Sequence, residues 1–328
     1  MRLGVLDIGS NTVHLLVVDA HPGAHPWPAY SEKTELRLAE RIGENGQLTS
    51  AGANALVEAV ARAKVSATRH GTEDLLAFAT SAVRDATNAT EVLARVRQKT
   101  GVEPRVLSEE AEASMTFLAV RRWYGWSAGR LLVLDIGGGS LEIAAGIDEE
   151  PDTALSLPLG AGRLTRDWFR DDPPSARQAE RLREHARNMI DVAALKVLST
   201  GWDRPVATSK TFRTLARLTG AAPSSAGPRT TRRLTRTGLH QLIGFISRMS
   251  STALSEMDGV STKRAHQVLA GAIVAQETMR RLAVDSVEIC PWALREGVIL
   301  RRLDVLEPGV STDDAGRNAK GLRAGGLG

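Results

Sequence analysis

LLVLDIGGGSLEIAAGI occupies residues 131–147, and the fold follows from how it is read. Leu131 to Leu134 form an apolar run of the kind found in a strand buried on both faces. Asp135 ends the strand, Gly137, Gly138, Gly139 and Ser140 follow, and LEIAAGI resumes an apolar pattern. The glycines therefore join two strands as a hairpin. Glycine tolerates positive φ, which lets successive N–H groups point into one concavity and cradle a phosphate. A Walker loop would need Gly-Lys-Ser/Thr and a following helix, and the stretch has neither. One such hairpin by itself is most simply a tight turn without a ligand.

A second copy changes that reading. The chain opens RLGVLDIGSNTVHLLVVDA, with a strand from Leu3 to Leu6, Asp7 at its end, a turn of Gly9, Ser10, Asn11 and Thr12, and an apolar run from Val13 to Val18. Strand, aspartate, glycine-containing turn and strand thus occur near the start of each half. Two phosphate-cradling hairpins, each with a strand-end carboxylate, suggest duplicated domains gripping a phosphate chain, with metal-binding carboxylates at the centre.

DIGSNTVHLLV (7–17), ATSAVRDATN (79–88), DIGGGSLE (135–142) and ALREG (293–297) stand in the order of motifs in the exopolyphosphatase and guanosine pentaphosphate phosphohydrolase family, which the chain resembles from about Leu3 to Asp304. The resemblance implies an α/β fold of two actin-like, ribonuclease H-like domains with an interdomain active cleft. The implied reaction is hydrolysis of the terminal phosphoanhydride of inorganic polyphosphate. Guanosine pentaphosphate is the alternative substrate. A kinase of the same superfamily and a non-catalytic sensor are remoter readings. Mg²⁺ is the implied cofactor, with Asp7, Asp135 and Glu142 as candidate ligands, directly or through water. Gly9, Ser10, Asn11, Gly137, Gly138, Gly139, Ser140 and Arg84 would hold phosphates. Arg84 stands where the family carries its phosphate-site arginine, and a guanidinium matches phosphate oxygens with a planar fork. Family members are often dimers, so a homodimer is left open, and longer members carry extra C-terminal helical domains that this sequence lacks.

The acid cluster Glu109, Glu110 and Glu112 has an ordinary explanation, since carboxylates in a first helical turn interact favourably with the helix dipole. The family places its catalytic base in this segment. Alignment on Glu112-Ala113 makes Glu112 the candidate base but puts Ala111 where a family glutamate stands, so a register on Glu109-Glu110-Ala111 stays open.

Composition sets the bounds. Of the 328 residues, 42% are hydrophobic and 24% charged, as in an ordinary globule, and no apolar run approaches the ~20 residues of a membrane span. The start has no signal-peptide pattern and there is one cysteine, Cys290, which fits a reducing cytoplasm. A net charge of +4 accords with a polyanionic partner. Arg229, Arg232, Arg233 and Arg236 would share one face if helical, as a solvated face or a landing strip for polyphosphate. Nucleic acid is not expected, because no aromatic residues interleave for base stacking.

Along the chain, HPGAHPWPAY (21–30) reads as a Pro-rich loop. Helices are expected over 50–70, from Asn88 with a capping box to about Thr100, from Ser108, and over 176–198, 240–254 and 263–282; strands over 75–80, 102–107 and into Thr208. The expected domains are 1–125 with a returning helix at about 298–308, and 126–297, with a disordered tail at 309–328.

Positions 207–211 read Ala-Thr-Ser-Lys-Thr, where kinases of the superfamily use a glycine pair to approach adenosine. Lys210 stands in the glycine position of the family's usual Ser-Gly-Thr, either as an exposed turn lysine or aimed at the phosphate chain. The glycine-free turn predicts no phosphoryl transfer from ATP to a sugar or small acid. An acceptor screen with radiolabelled ATP checks this, and a labelled acceptor overturns it.

Overall fold

The computed structural model describes residues 1–21 and 25–306. In chain order the elements are β1 (Arg2–Ile8), β2 (Thr12–Asp19), β3 (Trp27–Glu35), α1 (Ser50–Arg69), β4 (Asp74–Ala79), α2 (Ser81–Arg84), α3 (Ala89–Thr100), β5 (Arg105–Val106) and α4 (Glu109–Tyr124). They continue as β6 (Leu131–Ile136), β7 (Leu141–Gly146), β8 (Thr153–Leu157), α5 (Ala161–Trp168), α6 (Ala176–Thr200), β9 (Arg204–Thr208), α7 (Ser209–Leu218), β10 (Arg233–Thr235), α8 (Arg236–Ile246), α9 (Ser251–Ser255), α10 (Val268–Arg281), β11 (Ser286–Ile289) and α11 (Leu294–Leu306). Contacts divide the chain into two compact units, Met1–Met115 with the segment from Leu294, and Thr116–Ala293. The division falls inside α4 and at Leu294 rather than at 125/126 and 298. The tail at 309–328 lies outside the described residues.

The duplication read from the two hairpins extends to whole sheets. The first has strand order β3-β2-β1-β4-β5 and the second β10-β11-β9-β6-β7-β8. In each, a three-stranded antiparallel meander, β1-β2-β3 or β6-β7-β8, is followed by a strand parallel to its first member, β4 on β1 and β9 on β6. The central strands β1 and β6 are covered on both faces, with Leu6 and Leu3 in different apolar clusters and likewise Leu132 and Leu131, which is why their sequences are nearly continuous apolar runs.

In the first unit, α1 lays Leu56, Ala59, Val60 and Ala63 on one face of the sheet with Leu6, Val13 and Leu15. The opposite face is covered by α11, where Ile299 and Leu303 pack with Leu3, Val5, Leu16 and Phe78. In the second unit α10 is the buried axis: every residue from Val268 to Met279 is buried. The expected amphipathic helix over 263–282 is thus a short 3₁₀ turn, Thr262–Gln267, and then a helix apolar on all sides from Val268 to Ala275, followed by buried Gln276, Glu277 and Thr278, with Glu277 paired to Arg183, Arg187 and Arg280. Arg121, 1% exposed, staples this unit by donating to the carbonyls of Gly125, Gly129, Gly146 and Asp148. Those carbonyls lie just before β6 and at or just after the end of β7, so one side chain fixes the open end of the hairpin.

Several local expectations are corrected. Trp27 to Tyr30 belong to β3, not to a loop; Pro28 is tolerated because β3 is an edge strand. Asn88 makes no capping bond: its side chain exchanges hydrogen bonds with the backbone of Leu48 instead. The strand over 102–107 shrinks to Arg105–Val106. The 240–254 helix is two, α8 and α9, the second capped by Ser250. The arginine run is not one helical face. Arg232 donates to the carbonyls of Ala222, Pro223, Gly227 and Thr230, while Arg233 pairs with Glu288 and Arg236 with Asp285. Arg232 thus serves the loop, while Arg229 and Arg233 stay exposed to solvent and Arg236 is half-buried.

Gly297 of the ALREG motif has a steric reason to be glycine. A Cβ there would lie 1.9 Å from the carbonyl oxygen of Met115, so α11 touches the backbone of α4. Gly297→Ala forces the helices apart and is expected to destabilise the protein by about 1–3 kcal/mol, as overpacking does. Chemical denaturation checks this, and a wild-type midpoint would refute the contact.

Candidate active site

The two hairpins close alike. Gly9 N–H donates to Thr12 O at 2.9 Å and Gly137 N–H to Ser140 O at 2.9 Å. Neither Gly9 nor Gly137 has positive φ, so the expected reason for glycine at the head of each turn is corrected: the turn closes with ordinary dihedrals. Behind the second turn, the start of α5 donates Ala161 N–H to Gly137 O and Arg163 N–H to Gly138 O. Gly160 makes this seating feasible, because a Cβ on it would stand 2.2–2.4 Å from the backbone of Gly139 and Ser140. Among the described residues, no protein acceptor takes a hydrogen bond from the N–H groups of Gly138, Gly139 or Ser140. Three neighbouring amides of one glycine-rich turn thus have no protein acceptor, and none of Gly137, Gly138 and Gly139 has the positive φ expected of them. The first turn is braced differently: Asn11 O accepts from Leu36 and Arg37, Ser10 O from Ala39, and the Ser10 hydroxyl meets that of Ser81 at 2.9 Å.

The strand-end carboxylates stand in equivalent registers. Asp7 lies across from His14, and Asp135 from Glu142. Glu142 is 5% exposed and accepts from the Ser156 hydroxyl at 3.2 Å, so it is an inward residue rather than a surface strand glutamate. Asp135 and Glu142 present hard oxygen donors from adjacent strands, chemistry that suits a divalent cation retaining several waters. Among the described residues, no three His, Cys, Asp or Glu side chains converge on one metal position. His14 is 4% exposed, and its pKa is pushed down to about 3, by burial first and then by Arg295 and Lys33. The ring is neutral at any physiological pH.

Arg84 ends α2, the short helix after β4. Its Nη1 donates to Glu112 Oε2 at 3.0 Å and to Leu107 O at 3.1 Å, with Asp85 and Glu109 at 3.5 and 3.6 Å. The structure thus brings together the candidate phosphate arginine and the candidate base. It also separates the acid cluster: the side chain of Glu112 is 13% exposed against Arg84, that of Glu109 is 58% exposed, and Glu110 is exposed without an ion pair. Ser108 caps this helix by accepting from Ala111 N–H. The pairing of Arg84 with Glu112 was not foreseeable from sequence, because it depends on β4 and the start of α4 ending side by side.

Lys210 sits one residue into α7, after Ser209, whose φ of 80° is a strained value for a residue with a side chain. Although its own surface is open, dense protein around the ammonium lowers its pKa, and Arg213 and Arg264 lower it further. Lys210, Thr211, Ser261, Arg264 and Gln267 line one small cavity.

Two sheets of matching order, the second with one strand more, each containing an Asp-ended hairpin, define an actin-like α/β protein. The chain matches the Ppx/GppA phosphatase family over residues 17–306, and it belongs to that family. It is 60% identical to Exopolyphosphatase 1 of Mycobacterium tuberculosis (strain ATCC 25618 / H37Rv), over 93% of this chain and 89% of that one. It is 28% identical to the guanosine-5'-triphosphate,3'-diphosphate pyrophosphatase of Vibrio parahaemolyticus, over 92% of this chain and 59% of that one. Among solved structures, the Ppx/GppA family member of Aquifex aeolicus superposes with a TM-score of 0.79 at 25% identity, covering 94% of this chain and 99% of that one. No helix among the described residues is long and apolar enough to cross a membrane.

A double-mutant cycle tests the pair at the head of α4. Arg84→Met, Glu112→Gln and the double variant, compared by chemical denaturation, are expected to show a coupling of about 1–2 kcal/mol, as for a largely buried charge-assisted bond. Additive effects would mean that the pair does not form in solution.

Proposed function

We propose that this protein is an exopolyphosphatase that hydrolyses the terminal phosphoanhydride of inorganic polyphosphate and releases orthophosphate. The observation that carries the reading is the turn at residues 137–140, whose amides are seated by α5 and have no protein acceptor, in a chain so similar to Exopolyphosphatase 1. The distance of the guanosine pentaphosphate relative makes that substrate the lesser one.

In this reading the amides of Gly138, Gly139 and Ser140 take phosphate oxygens in the second unit. Gly9, Ser10 and Asn11 serve the first. Arg84 has five N–H donors in a planar fork, so it can hold a phosphate oxygen while keeping its bond to Glu112. That shared fork ties the position of the carboxylate to the position of the phosphate. Glu112 then orients and deprotonates the attacking water, and the fixed donors stabilise charge on the transferring phosphoryl group. Lys210 extends the positive surface along the chain. Asp135 with Glu142, and Asp7, would hold Mg²⁺, which supplies charge neutralisation on the phosphates. The same reading places the enzyme in the cytoplasm, with Cys290 buried and reduced.

Phosphate release from short polyphosphate, long polyphosphate and guanosine pentaphosphate at matched enzyme and Mg²⁺ tests the assignment. Polyphosphate should be turned over fastest; preferential conversion of the nucleotide would overturn the choice of substrate. Glu112→Gln is expected to lower kcat by ~10²–10⁴-fold with substrate still bound, the usual scale for general-base catalysis. Glu110→Gln should turn over near normally. An inactive Glu110→Gln beside an active Glu112→Gln would move the base to Glu110.

A further inference from the structure

Asp7 and Asp135 occupy the same place in the two repeats, yet their surroundings have diverged. Across from Asp135 stands Glu142, supported by the Ser156 hydroxyl on the third strand of the meander. Across from Asp7 stands His14, whose Nε2 lies 2.8 Å from the Oγ of Ser31, a diagonal neighbour on β3 that faces Leu16. The first repeat thus replaces an acid by a buried neutral ring and adds a cation. Arg295, in the first turn of α11, hydrogen-bonds through Nη1 to His14 Nδ1 and lies 3.5 Å from Asp7 Oδ2.

Donor chemistry fixes the orientation of this chain of groups. A guanidinium only donates, so His14 Nδ1 accepts. Nε2 then carries the ring proton and donates to the Ser31 hydroxyl. His14 is locked in one tautomer with its acceptor turned to Arg295.

The arginine differs from the structural one in the other unit. Arg121 spends its donors on backbone carbonyls. Arg295 has a side-chain acceptor, a functional carboxylate, and an Nε that is buried without an acceptor. It is placed by the close approach of α11 at Gly297 and by Ile299 and Leu303 on the sheet. Nothing in this packing needs a cation beside Asp7.

We propose that Arg295, aimed by His14 and Ser31, is a positioning residue that sets the orientation of the Asp7 carboxylate for the phosphate reaction. The inference rests on the reading that Asp7 serves that reaction. It explains why ALREG, remote in sequence from the hairpin, carries an arginine two residues before a sterically required glycine.

Substitutions at His14 separate positioning from packing. Asn puts its Oδ1 where Nδ1 stood and keeps the acceptor; Gln and Leu do not. Kinetics on polyphosphate, Mn²⁺ affinity by calorimetry and Tm should be measured for wild type, His14→Asn, His14→Gln, His14→Leu, Arg295→Lys and Arg295→Met. His14→Leu and Arg295→Lys are expected to lose ~10–100-fold in kcat, the range seen when outer-shell partners of functional carboxylates are removed, with KM for polyphosphate near wild type. Arg295→Lys fails because a single ammonium cannot serve both His14 and Asp7 with a planar fork. His14→Asn should recover most of the rate, and Mn²⁺ affinity should follow the same order as kcat. Where His14→Leu does not fold, the contrast of Asn with Gln carries the test. Equal activity in Asn and Gln, or rates that follow Tm alone, would overturn the proposal. A wild-type enzyme inactive on polyphosphate would instead sink the assignment of function, while the order of Mn²⁺ affinities would still report on Arg295.

Discussion

Backbone amides left without an acceptor are costly in a folded chain, and the second unit is built to keep three of them in one turn. The carbonyls of that turn are satisfied from behind by α5, which can come close because residue 160 has no side chain. β6 is pinned between β7 and β9, so the turn cannot drift along the sheet. Arg121 holds the far end of the hairpin through carbonyls. Each feature removes a way in which the turn could relax and find an acceptor within the protein. On the proposed reading an anion supplies that missing partner without reorganising the turn.

The first unit reaches a similar hairpin by other means. Its turn is braced by the backbone at residues 36–39 and by the Ser10–Ser81 hydroxyl pair. Its candidate side chains come from separate places: Arg84 from the end of α2 meets Glu112 from α4, and Arg295 from α11 meets Asp7 and His14. The two sheets share their strand order, while the residues paired with the strand-end aspartates differ, Glu142 against Asp135 and His14 against Asp7.

Much of this was legible from residues. The hairpins were visible because strand, aspartate and glycine recur together, and the helix at 50–69 because its apolar residues recur with the helical period. Glu112 could be singled out but not secured, since three carboxylates within four residues all suit a helix start. Only the inward turn of its side chain onto Arg84 distinguishes it. β3 was hidden by Pro28 and by alternating polar residues, which suit an edge strand but resemble a loop. Arg232 looked like surface charge because carbonyl acceptors leave no trace in a sequence. The task of Arg295 is likewise not legible within its motif, since its partners lie some 280 residues earlier, on β1 and β2.

The buried α10 has a consequence for how the second unit comes into being. A helix whose residues from Val268 to Met279 are all covered has no side on which it could meet water. Any species that contains it without its surrounding layers exposes the apolar stretch Val268–Ala275 and the carboxylate of Glu277 stripped of its arginines, which favours association over patient rearrangement. α5, α6, α7 and α8 all touch it, and they are contributed by segments far apart in the chain. Acquisition of the native state there is consequently collective: layers close around the helix together, and local opening of one of them loosens the others. The unit that carries the anion-binding turn is in this sense a single cooperative block, whose last-synthesised long helix completes the interior for everything that preceded it.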